Sequence, residues 1–358
     1  RADMGAQYLS LDAADARAAE VAELLVGRGV CSEVSADRLS QTPERRGASG
    51  WRHLAGTAGG VSDALKSILE EAGAELKTGR RVASLDAQAG LWRARPFRGD
   101  PAQFDAVILA VPGRGTGGDN LSKIRGSWEA RLSADQSREL QGAEHDERWS
   151  YAFFLPMGAA ASCDAFFGPE SFEKVVDDDV VHLLCYQSRK TASVSGQGPQ
   201  GAIGIVAHTT LSWARRNRRS NGRNQELLSE VSDRVGSLLG LRSPLSRAVL
   251  ASKTITWFQS QVTRSISPSA ELGPCMAVDG GAGPLVLAGD YFTESSFGGC
   301  LRSGFAAADA VAMALRDGGA SSRPRASPVP AAVDARGGGK GRSKLARPGT
   351  SKTSAGAG

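Results

Sequence analysis

"GPLVLAGDYFTESSFGGCLRSGFAAADAVAMAL", residues 283–315, decides how this chain is read. Leu285-Val286-Leu287-Ala288 is an apolar run of the length of a buried strand. It ends in Gly289-Asp290, and a short loop leads to Gly298-Gly299. From Phe305 to Leu315 small and apolar residues follow without a helix breaker, which predicts a helix. A strand that passes through an acidic turn into a glycine-led helix sets a carboxylate at the carboxyl edge of a sheet. Open α/β sheets bind ligands there.

The residue types narrow the ligand. A carboxylate accepts hydrogen bonds from alcohols, so Asp290 suits a hydroxyl-bearing chain and not a bare phosphate. Gly298 and Gly299 would let a flat group approach the backbone. The N–H groups of residues 298–301 would carry the positive end of the helix and favour a group that gains negative charge. A flavin with its ribityl chain meets all three conditions. The alternative is an ordinary strand–loop–helix in which Asp290 caps something local.

Composition frames the rest. With 358 residues, 41% of them hydrophobic, the chain is long enough for one large domain or two smaller ones. No stretch of 18 apolar residues predicts a membrane helix. The formal charge of +5 comes from the C-terminal segment 321–358, where eight Lys/Arg stand against Asp334 alone; the first 320 residues sum to about −2. No nucleic-acid partner is expected from so neutral a body. Residues 317–358, rich in Gly, Ser, Pro and Ala, are expected to be a disordered basic tail. Five widely spaced cysteines without a CxxC, and four histidines without ligand spacing, predict neither a metal site nor a disulfide framework. A reducing, intracellular compartment fits them.

Apolar spacing at Val61, Ala64, Leu65, Ile68 and Leu69 predicts a helix over 61–72, ended by Gly73. "AELKTGRRVASLD" reads as a strand, a glycine turn and a strand through Val82 and Leu85. "LWRARPF" reads as another strand. "FDAVILAVP", 104–112, reads as a fully buried strand of a parallel sheet, and "GRGTGGDN" as loop. "YAFFLP", "VVHLLCYQ", "AIGIVAHTT" and "TITWFQSQV" read as strands of a separate antiparallel sheet, with one helix, "NQELLSEVSDRVGSLLG", among them.

The 283–315 stretch resembles the C-terminal flavin segment of the FAD-dependent amine oxidase superfamily, more narrowly its renalase-like branch. Gly289-Asp290 and Phe297-Gly298-Gly299-Cys300 carry the resemblance. "DMGAQYLS", 3–10, is similar to the branch's Asp-x-Gly-Ala-Gln-Tyr segment. "GTAGGVSDALKSIL" is similar to its glycine-rich turn and helix. "RRVASL" and "FDAVILAVP" resemble its adenine-side strands, and "HTTLSWARR" and "TITWFQSQV" resemble strands of its substrate domain. The resemblance spans about residues 3–316.

It implies an α/β fold: a glutathione-reductase-like, Rossmann-type FAD-binding layer interleaved with an antiparallel substrate domain. The FAD layer would take residues 1–112 and 283–316, and the substrate domain 113–282. FAD contacts would come from Gly5, Ala6, Gln7, Val82, Ala110, Pro112, Gly289, Asp290, Phe297, Gly298, Gly299 and Cys300. The family's opening strand, G-x-G-x-x-G turn and helix have no match here, and "GTAGGVS" follows no predicted strand. The chain is therefore expected to start after the first βαβ unit and to hold FAD weakly by itself.

Candidates for the chemistry are Gln7, His208 and Trp257, each with a bland reading beside it: a sheet-edge turn, a satisfied strand histidine, a core aromatic. Cys300 reads as a thiol of lowered pKa or as a small packing residue under the flavin. "ARRNRR", 214–219, reads as a phosphate-attracting patch or a solvated basic turn. The resemblance implies hydride removal from an amine or dihydronicotinamide-type small molecule, with dioxygen as acceptor. Rival readings are a flavin dehydrogenase or desaturase with another acceptor, and a non-catalytic remnant.

Overall fold

The structure, a computed structural model, describes residues 2–35, 38–39, 50–57, 60–114, 120–190, 201–218, 224–241, 244–266, 273–279 and 282–318. Residues 1–318 form one compact unit. From residue 319 onward the expected tail lies outside the described residues, as do residues 115–119 of the expected loop after Pro112.

The N-terminal layer is a three-stranded antiparallel sheet. Strand β1 (Leu9–Asp12) and β2 (Cys31–Glu33) flank β3 (Trp51–Gly56). Helix α1 (Ala16–Gly27) starts where Asp15 accepts the Ala18 N–H. Helix α2 (Val61–Glu71) follows as its spacing predicted, and Gly73 takes the left-handed φ of +61° beyond its end. Leu9, Leu11, Ala18, Leu25, Leu54 and Ala64 form the buried core here.

Next come β4 (Val82–Gln88), β5 (Leu91–Pro96) and β6 (Ala102–Phe104), an antiparallel meander. The strand expected over "AELK" is not formed: residues 74–77 are irregular and exposed. Only Leu76 there is a large apolar residue, and it stands 55% exposed, so no face drives the segment onto a sheet.

Strand β7 (Val107–Leu109) runs parallel to the strand of the opening stretch, Leu285–Leu287, in the register Leu285↔Val107 and Leu287↔Leu109. The two runs are therefore adjacent, and the parallel sheet expected for 104–112 is present. The expected burial of both is not. Leu285, Val286 and Leu287 are buried, but Ile108 is 41% exposed. The physical reason is position: 107–109 is the outer strand of its sheet. The sheet's third strand, Met276–Val278, pairs antiparallel with 285–287 although it lies within the segment expected on the substrate side.

Between these parts come α3 (Ala134–Gly142), opened by a Ser133–Gln136 capping box, and β8 (Glu144–His145). A five-stranded antiparallel sheet follows. Its order is β10 (Glu173–Val175), β11 (Val181–Tyr186), β12 (Ile203–Thr209), β9 (Arg148–Leu155) and β13 (Ala251–Trp257). The four segments read as antiparallel strands contribute to it, although the end of "TITWFQSQV" leaves the sheet after Trp257. Side chains alternate along β9. Trp149, Tyr151, Phe153 and Leu155 enter a core with Trp213, Val231 and Val235. Ala152 joins Val206 and Cys185 in a second core with Met4 and Ala55 of the N-terminal layer. The sheet is thus covered on both faces, and its second face carries the N-terminal segment.

Helix α4 (Ala160–Phe167), α5 (Leu211–Asn217), α6 (Asn224–Leu238) and α7 (Leu245–Ala248) complete this region. Thr210 and Trp213, expected on a strand, belong to α5: the Thr210 hydroxyl accepts the Trp213 N–H at 3.2 Å and starts the helix. Strand β14 (Val262–Arg264) pairs with β8. The remaining strands are β15 (Met276–Val278) and β16 (Leu285–Leu287), and helix α8 (Phe297–Gly318) ends the described fold. Among the described residues no helix is long and apolar enough to cross a membrane.

Candidate functional site

The carboxyl ends of β7 and β16 bring three loops together. Gly289 leaves β16 at φ +152°, and a Cβ there would lie 2.5 Å from the Tyr291 ring, so only glycine fits. Its N–H donates to Ser303 Oγ at 2.9 Å, which fixes the turn to α8. Gly113, just after Pro112, packs against the same ring: a Cβ there would stand 3.3 Å from His145 Cε1 and 3.6 Å from Tyr291 Cγ. His145 and Tyr291 lie with ring centres 6.5 Å apart.

Two polar atoms in this group are buried without a hydrogen-bond partner, His145 Nε2 and Tyr291 OH. Burial pushes the His145 pKa down, with the nearby Asp290 charge partly offsetting it. Burial pushes the Tyr291 hydroxyl up. Leaving such atoms unmet costs about 1–3 kcal/mol each. They stand beside the Asp290 turn.

Asp290 itself has a local partner. Ser295 Oγ donates to Asp290 Oδ2 at 3.1 Å and accepts the Val262 N–H at 2.7 Å. That leaves Asp290 Oδ1 for a ligand hydroxyl.

The glycine pair behaves differently from its sequence reading. A Cβ on Gly298 would come 3.1 Å from Leu11 Cα, and one on Gly299 would come 2.3 Å from the Glu294 oxygen. Close packing of α8 on β1 and on its own loop requires these glycines. The N–H groups of Gly299 and Cys300 go to Ser296 Oγ (2.9 Å) and Ser296 O (3.1 Å), so Ser296 caps the helix and these two donors are spent. Cys300 is corrected as well. Its thiol, read as lowered, is pushed up to about 11, by desolvation in its surroundings first and then by Asp290 and Glu294, and the residue is exposed.

A second cluster forms on the inner face of the five-stranded sheet. The Gly5 backbone lies on the Trp257 ring, with a Cβ position 3.4 Å away. Trp257 Nε1 donates to Ser150 Oγ at 3.0 Å and to Met4 O at 3.3 Å. Gln7 Nε2 stands 3.3 Å from His208 Nε2. Sequence reasoning named Gly5, Gln7, His208 and Trp257 and the structure gathers them. It missed Asp3, Gln187 and Lys190, which bind the same segment, and His145 and Tyr291. Asp3, Gln187 and Tyr291 stood inside quoted stretches, whereas Lys190 follows and His145 precedes an apolar strand; none carries a spacing signal.

The His208 pKa is pushed down to about 4, by burial first and then by the positive charges of Arg148, His182 and Lys190. The ring is neutral near pH 7. It is a hydrogen-bonding group rather than a strong base.

The two clusters are joined by one ribbon. Residues 145–150 run along 255–262, with pairs His145↔Val262, Arg148↔Trp257 and Ser150↔Ile255. At ~3.3 Å per residue, 145–150 spans about 16 Å. Elsewhere, Val82 sits in the β4–β6 meander and Ala110 is exposed beyond β7. Phe297 packs on the β1 core. Arg218 pairs with Glu147 at 3.1 Å, and Arg215 lies 4.0 Å from Asp146, so those members of "ARRNRR" answer internal carboxylates. The start of α2 is occupied too: Asp3 Oδ1 accepts the Val61 N–H at 3.2 Å. The residues present thus fit the hydroxyl chain of a flavin at Asp290, whereas the α2 terminus offers its first N–H to Asp3 and not to a phosphate.

A family model described as flavin containing amine oxidoreductase matches residues 28–312. The chain is 24% identical over 251 residues to renalase of Mus musculus, covering 68% of this chain and 65% of that protein. A putrescine oxidase redesigned in its cofactor binding superposes with TM-score 0.46 at 12% identity, over 73% of this chain and 54% of that one. Cyclohexylamine oxidase from Brevibacterium oxydans IH-35A gives TM-score 0.46 at 15% identity, over 76% and 56%. The chain spans just under two thirds of the renalase and about half of each oxidase.

Proposed function

This chain belongs to the flavin containing amine oxidoreductase family, and we propose that it is an FAD-dependent oxidoreductase whose donor is a small amine or a dihydronicotinamide-type molecule and whose acceptor is dioxygen. One observation supports the placement of the cofactor more than any other. The glycine-only turn at 289–290 ends one of two parallel strands beside two buried, unmet polar atoms, His145 Nε2 and Tyr291 OH. In this reading Asp290 accepts from the ribityl hydroxyls, and His145, Tyr291 and Pro112–Gly113 line the ring side. FAD, when bound, supplies the two-electron acceptor that takes a hydride from the donor and is reoxidised by dioxygen to give hydrogen peroxide.

The substrate side is assigned to Gly5, Ala6, Gln7, His208 and Trp257. The Trp257 ring and the neutral His208 imidazole make an uncharged wall, which favours an uncharged amine or a flat dihydropyridine over a cation. Residues 1–112 and 283–316, joined by β15, form the cofactor layer of this reading, and the rest of 113–282 forms the substrate layer.

The test is to titrate the purified chain with FAD and follow the visible spectrum with FAD kept in excess. Small primary amines, polyamines and dihydronicotinamides are then added without oxygen. The reading predicts a saturable shift of the flavin bands, bleaching by one donor class, and peroxide equal to donor consumed when oxygen is admitted. Flavin bands that the protein does not shift, or flavin that none of these donors bleaches, contradict it. Bleaching with reoxidation only by an artificial acceptor favours the dehydrogenase reading.

A further inference from the structure

Residues 3–8 form neither strand nor helix, and yet side chains meet their backbone polar groups one by one. The Asp3 N–H donates to Gln187 Oε1 at 3.0 Å. Trp257 Nε1 donates to Met4 O. Gln7 Nε2 donates to Asp3 O at 2.8 Å and to Gly5 O at 2.9 Å. Lys190 Nζ donates to Gln7 O at 3.0 Å.

Lys190 is the unusual member, since it is 1% exposed and a buried ammonium is costly unless paired and hydrogen-bonded. Its Nζ also donates to Asp3 Oδ2, and the other Asp3 oxygen holds the first N–H of α2. Gly60 follows from this: at φ +70°, a Cβ would lie 2.3 Å from Asp3 Oδ1. Gln187 Nε2 donates to Gln7 Oε1 and closes the ring.

The ring sets the Gln7 amide. Its oxygen faces the Gln187 amide nitrogen, so its own nitrogen faces the two carbonyls and His208 Nε2. The two amide hydrogens go to the Asp3 and Gly5 carbonyls, and an amide nitrogen cannot accept a hydrogen bond, so an Nε2–H on His208 would face it unmet at 3.3 Å; this favours the ring proton on Nδ1.

We propose that Lys190, with Asp3 and Gln187, is a positioning group of the site: it fixes Gln7 and, through Gln7, the tautomer and placement of the His208 ring. The inference rests on reading Gln7, His208 and Trp257 as the substrate side. The charged and titratable groups around His208 are Lys190 after β11, His182 on β11 and Arg148 on β9, with Asp3 reached through Lys190.

The chain has four histidines, so 15N-histidine NMR resolves His208 with and without FAD. The variants are K190M, K190R, D3N and K190M/D3N, each measured for His208 tautomer and titration, FAD content and kcat/KM. In the parent, His208 is neutral and Nδ1-protonated at pH 7. K190M mixes the tautomers, moves the His208 midpoint upward because a neighbouring cation is gone, and lowers kcat/KM tenfold or more at unchanged FAD content. K190R restores most of both. The double variant loses no more than the worse single one, because the two residues act together.

A folded K190M with the parent's tautomer and kcat/KM within twofold overturns the proposal, as do losses in K190M and D3N that multiply. If K190M does not fold, K190R and the parent decide: an Nε2-protonated His208 in the parent, or a K190R that does not keep the parent's tautomer, overturns it. If no donor is turned over even by the parent, the proposed function fails while the tautomer results still judge the positioning role.

Discussion

Acid should weaken this fold through His208, and the size of the effect follows from its surroundings. Burial, Arg148, His182 and Lys190 lower its pKa from 6.5 to about 4 in the folded chain. Between those two values the unfolded chain binds a proton that the folded chain refuses. Stability is therefore fullest above about pH 6.5, falls as pH drops toward 4, and stops falling on this account below that. At about 1.4 kcal/mol per unit, the loss is at most about 3.5 kcal/mol. His145 and His182 are also shifted down, chiefly by burial, and act in the same direction. Urea unfolding of the parent and of H208Q at pH 7.5, 6.5, 5.5 and 4.5 isolates the His208 share as a difference in slope. The expected result is a steeper decline in the parent, by about 1 kcal/mol per pH unit. Parallel declines would show that His208 is solvated and that the neutral wall assigned to it does not exist.

Gly289→Ala should lower stability by about 1–3 kcal/mol from backbone strain alone, with the Tyr291 clash added, and thermal melting reads it. Gly304→Ala should do the reverse. It lies on the exposed face of α8 with nothing within 4 Å of the added Cβ, so a gain of about 0.5–1 kcal/mol is expected. Cys300, although exposed, should react slowly with iodoacetamide at pH 8, with a rate still rising toward pH 11. Fast alkylation at pH 8 would mean that desolvation and the Asp290 and Glu294 charges do not raise the thiol as described.

The periodic segments were legible because hydrophobic spacing is local information. Val61–Glu71 and the strands at 148–155, 181–186, 203–209 and 251–257 declare themselves by period. Strand β7 was legible as a strand of a parallel sheet, but not as an outer strand. Exposure of Ile108 depends on what lies beside it, which no local pattern encodes. Gly298 and Gly299 illustrate a different gap. Two glycines fit a ligand or a close helix contact equally well, and only the positions of Leu11 and Glu294 separate the two. Asp3 and Lys190 are 187 residues apart, so their pairing is a product of the tertiary fold.

The central claim is that the Asp290 turn holds a flavin, and an FAD titration of parent, D290A and S295A tests it most directly. A hydrogen bond from a ribityl hydroxyl to this carboxylate is worth about 1.5–3 kcal/mol. D290A should then bind FAD about ten- to a hundredfold more weakly than the parent, whereas S295A, which removes the local partner of Oδ2 and the acceptor of the Val262 N–H but leaves the carboxylate, should stay within a few-fold of it. D290A binding FAD as tightly as the parent would make Asp290 a cap for Ser295 and would contradict the account.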